Sequence, residues 1–258
     1  MNSIFKHTEN NGEVIITGLQ EGLATTSIVI PETIDGMPVI EIGPKAFQST
    51  SITNIKIGEN IRGIGEKAFY MCKKLKSVTW NHKCDVVPAF CFSECSNLTK
   101  FDFSNVKKIG LYAFYKSGLQ EVCLPKNIKV LEEGTFSGCS KLQSVTWHCQ
   151  CDVIPADCFF GCSDLMQFDF SGVKKIEARA FMGSGLTSVR LSKKTAVEQS
   201  CFACCNDLEK IEWLSDRNIE KTIFAECKNI KEIFISDKVK NIEVSAFTSS
   251  HNAEITFV

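Results

Sequence analysis

Ile64-Gly65-Glu66-Lys67-Ala68-Phe69-Tyr70-Met71-Cys72-Lys73-Lys74-Leu75-Lys76-Ser77-Val78-Thr79-Trp80 carries, in one short stretch, the pattern that organises the whole chain. An aliphatic residue stands five before the Phe, a Cys three after it and a Leu six after it. The stretch then ends in alternation, with Val78 and Trp80 on one side and Ser77 and Thr79 on the other. Alternation over four residues marks a short strand with one buried face.

Moving outward from this stretch, the Phe recurs at Phe47, Phe69, Phe92, Phe114, Phe136, Phe159, Phe181, Phe202, Phe224 and Phe247, at intervals of 21 to 23 residues. The aliphatic residue keeps step from Ile42 and Ile64 to Ile219 and Ile242. A coil of this length cannot bury its apolar face alone, whereas stacked coils can. The spacing therefore predicts a repeat solenoid: parallel strands on one face, short strands or 3₁₀ turns elsewhere, and each Phe resting on the next. Residues 1–36, with the apolar runs Val14-Ile15-Ile16 and Ile28-Val29-Ile30, read as an N-terminal β cap, and residues 37–258 as ten coils.

A longer period lies over the short one. Four coils lack one residue and carry Thr50, Ser117, Ser184 or Ser250 three residues after the Phe, where the other six carry Cys. The order short, long, long gives a super-repeat of 66 or 67 residues, and residues 75–114 match residues 142–181 at 25 of 40 positions. Tandem duplication of a three-coil unit accounts for this.

The repeat written out above, with Gly36-Met37-Pro38-Val39 and Ile42-Gly43-Pro44-Lys45-Ala46-Phe47 leading into it, resembles the BspA-like, or treponemal-type, leucine-rich repeats. The resemblance implies a leucine-rich-repeat right-handed superhelix with its parallel sheet on the concave face. It also implies a non-enzymatic protein, displayed on or secreted from cells, that binds host matrix or cell-surface proteins. Fold alone does not dictate activity.

The composition is that of a soluble globular chain: 258 residues, 44% apolar, 23% charged, net charge −1. Nothing in it marks a nucleic-acid or anionic-membrane binder, and no run approaches the ~18 apolar residues of a membrane span. The N-terminus lacks the basic start and apolar run of a secretory signal. This favours the alternative of an intracellular scaffold or regulatory module, against one glycosylation acceptor, Asn97-Leu98-Thr99.

Fourteen cysteines need an explanation. Eleven fall in repeating interior slots, where free Cys packs as a small hydrophobe, and this is the reading that the repeat favours. Disulfides between neighbouring coils (Cys72 with Cys95, Cys139 with Cys162, Cys205 with Cys227) are the second reading, because stacked strands bring such pairs to about 5 Å. A metal site at His148-Cys149-Gln150-Cys151 is the third. It offers three soft ligands where zinc takes four, and its duplicate Asn81-His82-Lys83-Cys84 keeps two. Cys123, Cys149 and Cys204 remain outside the interior slots.

No catalytic constellation or cofactor motif emerges. His7, His82, His148 and His251 have no nucleophile and orienting partner in register. Trp80, Trp147 and Trp213 occupy an inward strand slot and are expected in the core, and Lys107-Lys108 and Lys174-Lys175 read as solvated edges. The informative surface is the outward strand position: Thr79, Asp102, Cys123, Thr146, Asp169, Arg190, Glu212 and Phe234, with Cys123 and Phe234 exposed among small and polar neighbours. This face is the expected contact for a protein ligand, chiefly from Thr79 to Arg190; a merely solvated sheet is the alternative. The last strand, Ile255-Thr256-Phe257-Val258, is uncapped, which suggests a homodimer through the C-terminal coil or a longer parent chain.

Overall fold

The structure, a computed structural model, describes residues 3–22, 26–250 and 253–258; His251 lies outside them. The chain winds as a β-solenoid of about 11 turns. Each coil contributes three segments, and most segments pair with their equivalents one coil away.

The first segment is the alternating strand. Glu121–Leu124 and Ser144–Trp147 pair in parallel, as do Ser188–Leu191, Lys210–Trp213, Glu232–Ile235 and Glu254–Phe257 in succession. The second is a two-residue strand ending at the aliphatic position: Lys108–Ile109 lies between Val86–Val87 and Val130–Leu131, and Lys175–Ile176 between Val153–Ile154 and Ala196–Val197. The segment before the Phe is thus extended, and the one 3₁₀ turn among the described residues is Val244–Phe247. No helix among them is long and apolar enough to cross a membrane.

The third segment is the turn around the Phe, and its backbone also bonds from coil to coil. The N–H groups of Phe69, Phe92 and Phe114 donate to the carbonyls of Cys91, Ala113 and Thr135 at 3.0, 2.8 and 2.9 Å. In the coils from Phe47 to Phe224 the residues two before and two after the Phe take positive φ, as at Lys67 (57°) and Met71 (59°), or Tyr112 (48°) and Lys116 (51°). Left-handed residues set among right-handed ones turn successive N–H groups to one side. Here that side faces the next coil, so a turn that would otherwise expose its backbone is stitched into the stack.

Side chains fill the core in columns. The ten Phe rings stack in nine steps, with centroids 5.2 to 5.8 Å apart and ring planes within 3 to 24° of parallel. Beside them runs a column of thiols and hydroxyls. Each Cys three after a Phe donates its Sγ–H to the Phe carbonyl of the preceding coil, from Cys72 to Phe47 (2.9 Å) through Cys227 to Phe202 (3.0 Å). In a short coil the hydroxyl meets the next thiol instead, as Ser117 Oγ does Cys139 Sγ at 3.3 Å. All fourteen cysteines are free, and ten are buried. The favoured reading of the cysteines as small interior residues therefore holds, with a hydrogen-bonding role added.

At the N-terminal end, Phe5–Asn10 and Glu13–Leu19 form an antiparallel hairpin. Its two-residue turn, Asn11-Gly12, has φ of 51° and 77°, the backbone that Asn-Gly favours. Phe5 sets its ring edge-on to Phe47, closing that end of the Phe column.

One expectation fails. Lys100-Phe101-Asp102-Phe103 and its duplicate Gln167-Phe168-Asp169-Phe170 alternate like strands, yet neither is a strand, and the parallel sheet breaks at both. The cause is size. Other coils carry Val or Ile in the first inward slot, but Phe101 must fit its ring against Phe92, Phe103 and Phe114 at 4.9 to 5.3 Å. Phe168 sits likewise against Phe159, Phe170 and Phe181. Two large rings in consecutive inward slots hold the backbone out of ladder register.

Candidate functional site

The alternating strands turn every second side chain outward, and parallel pairing in register lines these up. Lys56 lies beside Thr79, Cys123 beside Thr146, Arg190 beside Glu212, and Glu212 beside Phe234. Thr79, Asp102, Cys123, Thr146, Asp169 and Arg190 are exposed, and Glu212 and Phe234 are half-buried. Phe234, expected to be open, is covered by the Lys210 ammonium 4.9 Å from its ring centroid, a cation on a π face. Arg190 pairs with Glu212 at 2.7 Å, so the C-terminal part of the face is a charged lattice and the middle part is small and polar.

The sheet breaks shape this face. Asp102 and Asp169 are not rungs of a ladder; their carboxylates accept the N–H of Ser104 and Ser171, both at 2.9 Å. That bond holds the Asp169 carboxyl below its ordinary range. On one side of Phe168 lies a recess of about 520 Å³ lined by Gln143, Val145, Met166 and Asp169. On the other lies one of about 500 Å³ lined by Asp169, Arg190, Lys193 and Leu214. The structure thus gathers Asp169 and Arg190 around one opening and leaves Thr79 and Cys123 on separate stretches of the face. Phe168 and Met166 were not among the sequence-derived candidates. The signal for them was a Phe in the slot where the chain elsewhere holds Val or Ile.

The proposed metal ligands His148, Cys149 and Cys151 do not converge: among the described residues no three His, Cys, Asp or Glu side chains group to hold a metal ion. Burial pushes the Cys139 thiol up to about 11 and the Cys201 thiol up to about 12. Such thiols stay protonated at neutral pH and are poor nucleophiles. Trp80 and Trp147 are half-buried rather than fully in the core, while Trp213 is buried. Each donates its indole N–H to a carbonyl four residues on, at 2.7 to 3.0 Å, which pins the strand to the loop after it.

The profile of the BspA type leucine rich repeat region matches residues 21–143 and 152–258, in six copies. The chain belongs to the BspA-type leucine-rich repeat family. Among solved structures, this BspA-type repeat protein is similar to a leucine-rich repeat protein from Bacteroides ovatus. They share 20% identity over 100% of this chain and 78% of that one, with a TM-score of 0.73. It is similar also to a leucine rich cell surface protein from Faecalibacterium prausnitzii, at 22% identity over 100% and 76% of the two chains and a TM-score of 0.66. The pneumococcal vaccine antigen PcpA shares 16% identity over 99% and 80%, with a TM-score of 0.55. At such identities the likeness is one of fold. No curated protein matches the chain.

Proposed function

We propose that this BspA-type repeat protein is a non-enzymatic module that binds a protein ligand through the strand face between Thr79 and Arg190, and that the ligand is a host or cell-surface protein. The observation that carries the reading is the broken strand face itself, where exposed small and polar side chains flank two recesses of about 500 Å³ around Phe168. Extended faces of stacked repeats suit protein partners because many side chains lie in one surface. Adhesion is further supported by a cell surface protein and a vaccine antigen sharing the fold. Binding of the intact protein to a panel of purified matrix proteins, by surface plasmon resonance, tests this. Asp102→Lys and Asp169→Lys should weaken a genuine contact, and a binder indifferent to both defeats the strand-face assignment.

The free thiols favour a second reading, an intracellular scaffold, since disulfides are rare where the cytosol keeps thiols reduced. Cell fractionation with protease treatment of intact cells separates the two: surface display predicts digestion, and an intracellular scaffold predicts protection. Self-association at the C-terminal coil is the accompanying proposal. There Ile255 and Phe257 on the last strand, and Val258 after it, are 51 to 61% exposed. Light scattering that finds only monomer at high concentration would remove it.

A further inference from the structure

On the turn side of the solenoid, away from the strand face, the side chains two before and one after each Phe form columns of their own. The coil of Phe136 carries only small residues there: Gly134, Ser137 and, one further on, Gly138. The coil before it carries Tyr112 and Tyr115, and the coil after it Asp157 and Phe160. Those small residues leave a slot between the two bulky layers, part of which Tyr112 fills by leaning over Gly134. The slot opens as a recess of about 490 Å³ lined by Phe90, Tyr112, Tyr115, Ser137, Asp157, Phe160 and Arg179.

Its walls differ in chemistry. On one side Tyr112 stacks on Phe90 at 5.7 Å and meets Tyr115 edge-on at 5.7 Å. Tyr112 leans over Gly134, where a Cβ would come within 2.2 Å of its ring. On the other, Arg179 grips Asp157 through two bonds of 2.8 and 2.6 Å, and the Tyr112 hydroxyl reaches Asp157 Oδ2 at 3.5 Å. Asp157 is 6% exposed, whereas Phe160 is 38% exposed and stands as an open ring at the rim.

This arrangement is peculiar to one place in the chain. Under the 67-residue offset Phe90 corresponds to Asp157, Ser93 to Phe160 and Tyr112 to Arg179, while the interior residues between them, Cys91 and Phe92, keep their identity as Cys158 and Phe159. The two duplicated units have diverged in chemical class at the recess and not beneath it. The first unit supplies Phe90 and Tyr112 where the second supplies Asp157 and Arg179, so the site exists once, at their junction.

We propose that this recess binds a hexopyranose ring of a glycan. The open ring of Phe160 and the edge of Tyr115 accept the C–H face of a sugar, and the half-exposed Arg179 guanidinium, held in place by the buried Asp157, offers donors to neighbouring hydroxyls. A purely apolar occupant, such as an aromatic side chain, would cover that ion pair without satisfying its remaining hydrogen-bonding capacity, which is costly. A cation is disfavoured because Lys67 and Lys116 already sit over Phe90 and Tyr115, at 5.2 and 5.0 Å. An anion would meet Asp157 and Glu133, the latter held at 3.3 Å by the Tyr112 hydroxyl. A neutral polyhydroxyl ring fits both constraints.

A glycan array with the intact protein, followed by calorimetric titration with the corresponding methyl hexopyranosides, tests the assignment. The wild-type protein should bind glycans presenting a hexopyranose, and Tyr115→Ala and Phe160→Ser should each weaken that binding at least tenfold. Both variants alter side chains outside the Phe column, and an unchanged melting temperature reports that the fold is kept. Asp102→Lys on the strand face should leave glycan binding unchanged. An array without any bound glycan, or a bound glycan whose affinity survives both turn-side variants, overturns the proposal.

Discussion

The thiol of Cys139 donates to the carbonyl of Phe114, one coil earlier, at 3.1 Å, and five other cysteines repeat the bond along the solenoid. The same carbonyl also accepts the Ser117 N–H at 3.0 Å, so the thiol satisfies its second lone pair in a place closed to water. In the short coils Thr50, Ser117 and Ser184 instead set a hydroxyl against the thiol of the next coil, at 3.3 to 3.4 Å.

Cys139→Ala removes both the donor and a buried sulfur, and should cost about 1–3 kcal/mol in urea unfolding. Cys139→Ser keeps a donor of similar reach and should cost less. The reverse order, with Ala the milder change, would mean that packing alone fills the slot.

Titration links the buried thiols, in this column and in the slot just before the Phe, to pH. The unfolded thiol titrates near 9 and the buried Cys139 near 11, because desolvation penalises the thiolate. The folded protein therefore holds the proton more tightly. The resulting stabilisation is complete below pH 9 and is lost as pH rises through about 11 for Cys139 and about 12 for Cys201. Stability measured against pH should fall across this alkaline window, and Cys201→Ala should make the decline shallower.

Phe136 stacks on Phe114 and Phe159, whereas among the described residues Phe247 stacks on Phe224 alone and is itself half-buried. Phe136→Ala should cost about 3–5 kcal/mol, the range for a buried ring. Phe247→Ala should cost clearly less. Equal losses would contradict a stack whose coils are stabilised by neighbours on both sides.

Much of the architecture was legible in the chain because the coil period is written in one residue type: a Phe every 21 to 23 positions can do little but stack. Two features were not. The Phe-x-Phe coils kept the alternation of a strand, and only the volume of Phe101 and Phe168, weighed against Val and Ile elsewhere, could have flagged the breaks. The N-terminal hairpin turned on Asn11-Gly12, a dipeptide whose meaning lies in positive φ rather than in periodicity. Alternation turns Thr79, Cys123, Thr146 and Arg190 outward on their strands, as the structure has them. The grouping of face residues into recesses depended on those breaks, and so escaped a reading made one position at a time.

The breaks have a dynamic consequence. The backbone amides of Phe101 and Phe103 make no bond to a neighbouring coil, whereas those of Gln143 and His148 donate to Gln120 and Leu124 at 2.8 and 3.0 Å. Hydrogen exchange followed by NMR should find the first pair exchanging faster than the second. Phe101→Val, which restores the common residue of that slot, should slow them. Equal protection in the wild-type protein would restore a continuous sheet.

Cys123 offers the most direct test of binding through the strand face. It stands exposed in the middle of that face, beside Thr146, while Cys204 lies on the turn side, two residues after Phe202. Alkylation of both thiols in the native protein can be timed with and without a saturating matrix protein from the binding panel. Contact along Thr79 to Arg190 predicts that the ligand slows Cys123 at least tenfold and leaves Cys204 unchanged; a ligand that shields Cys204, or neither thiol, contradicts it.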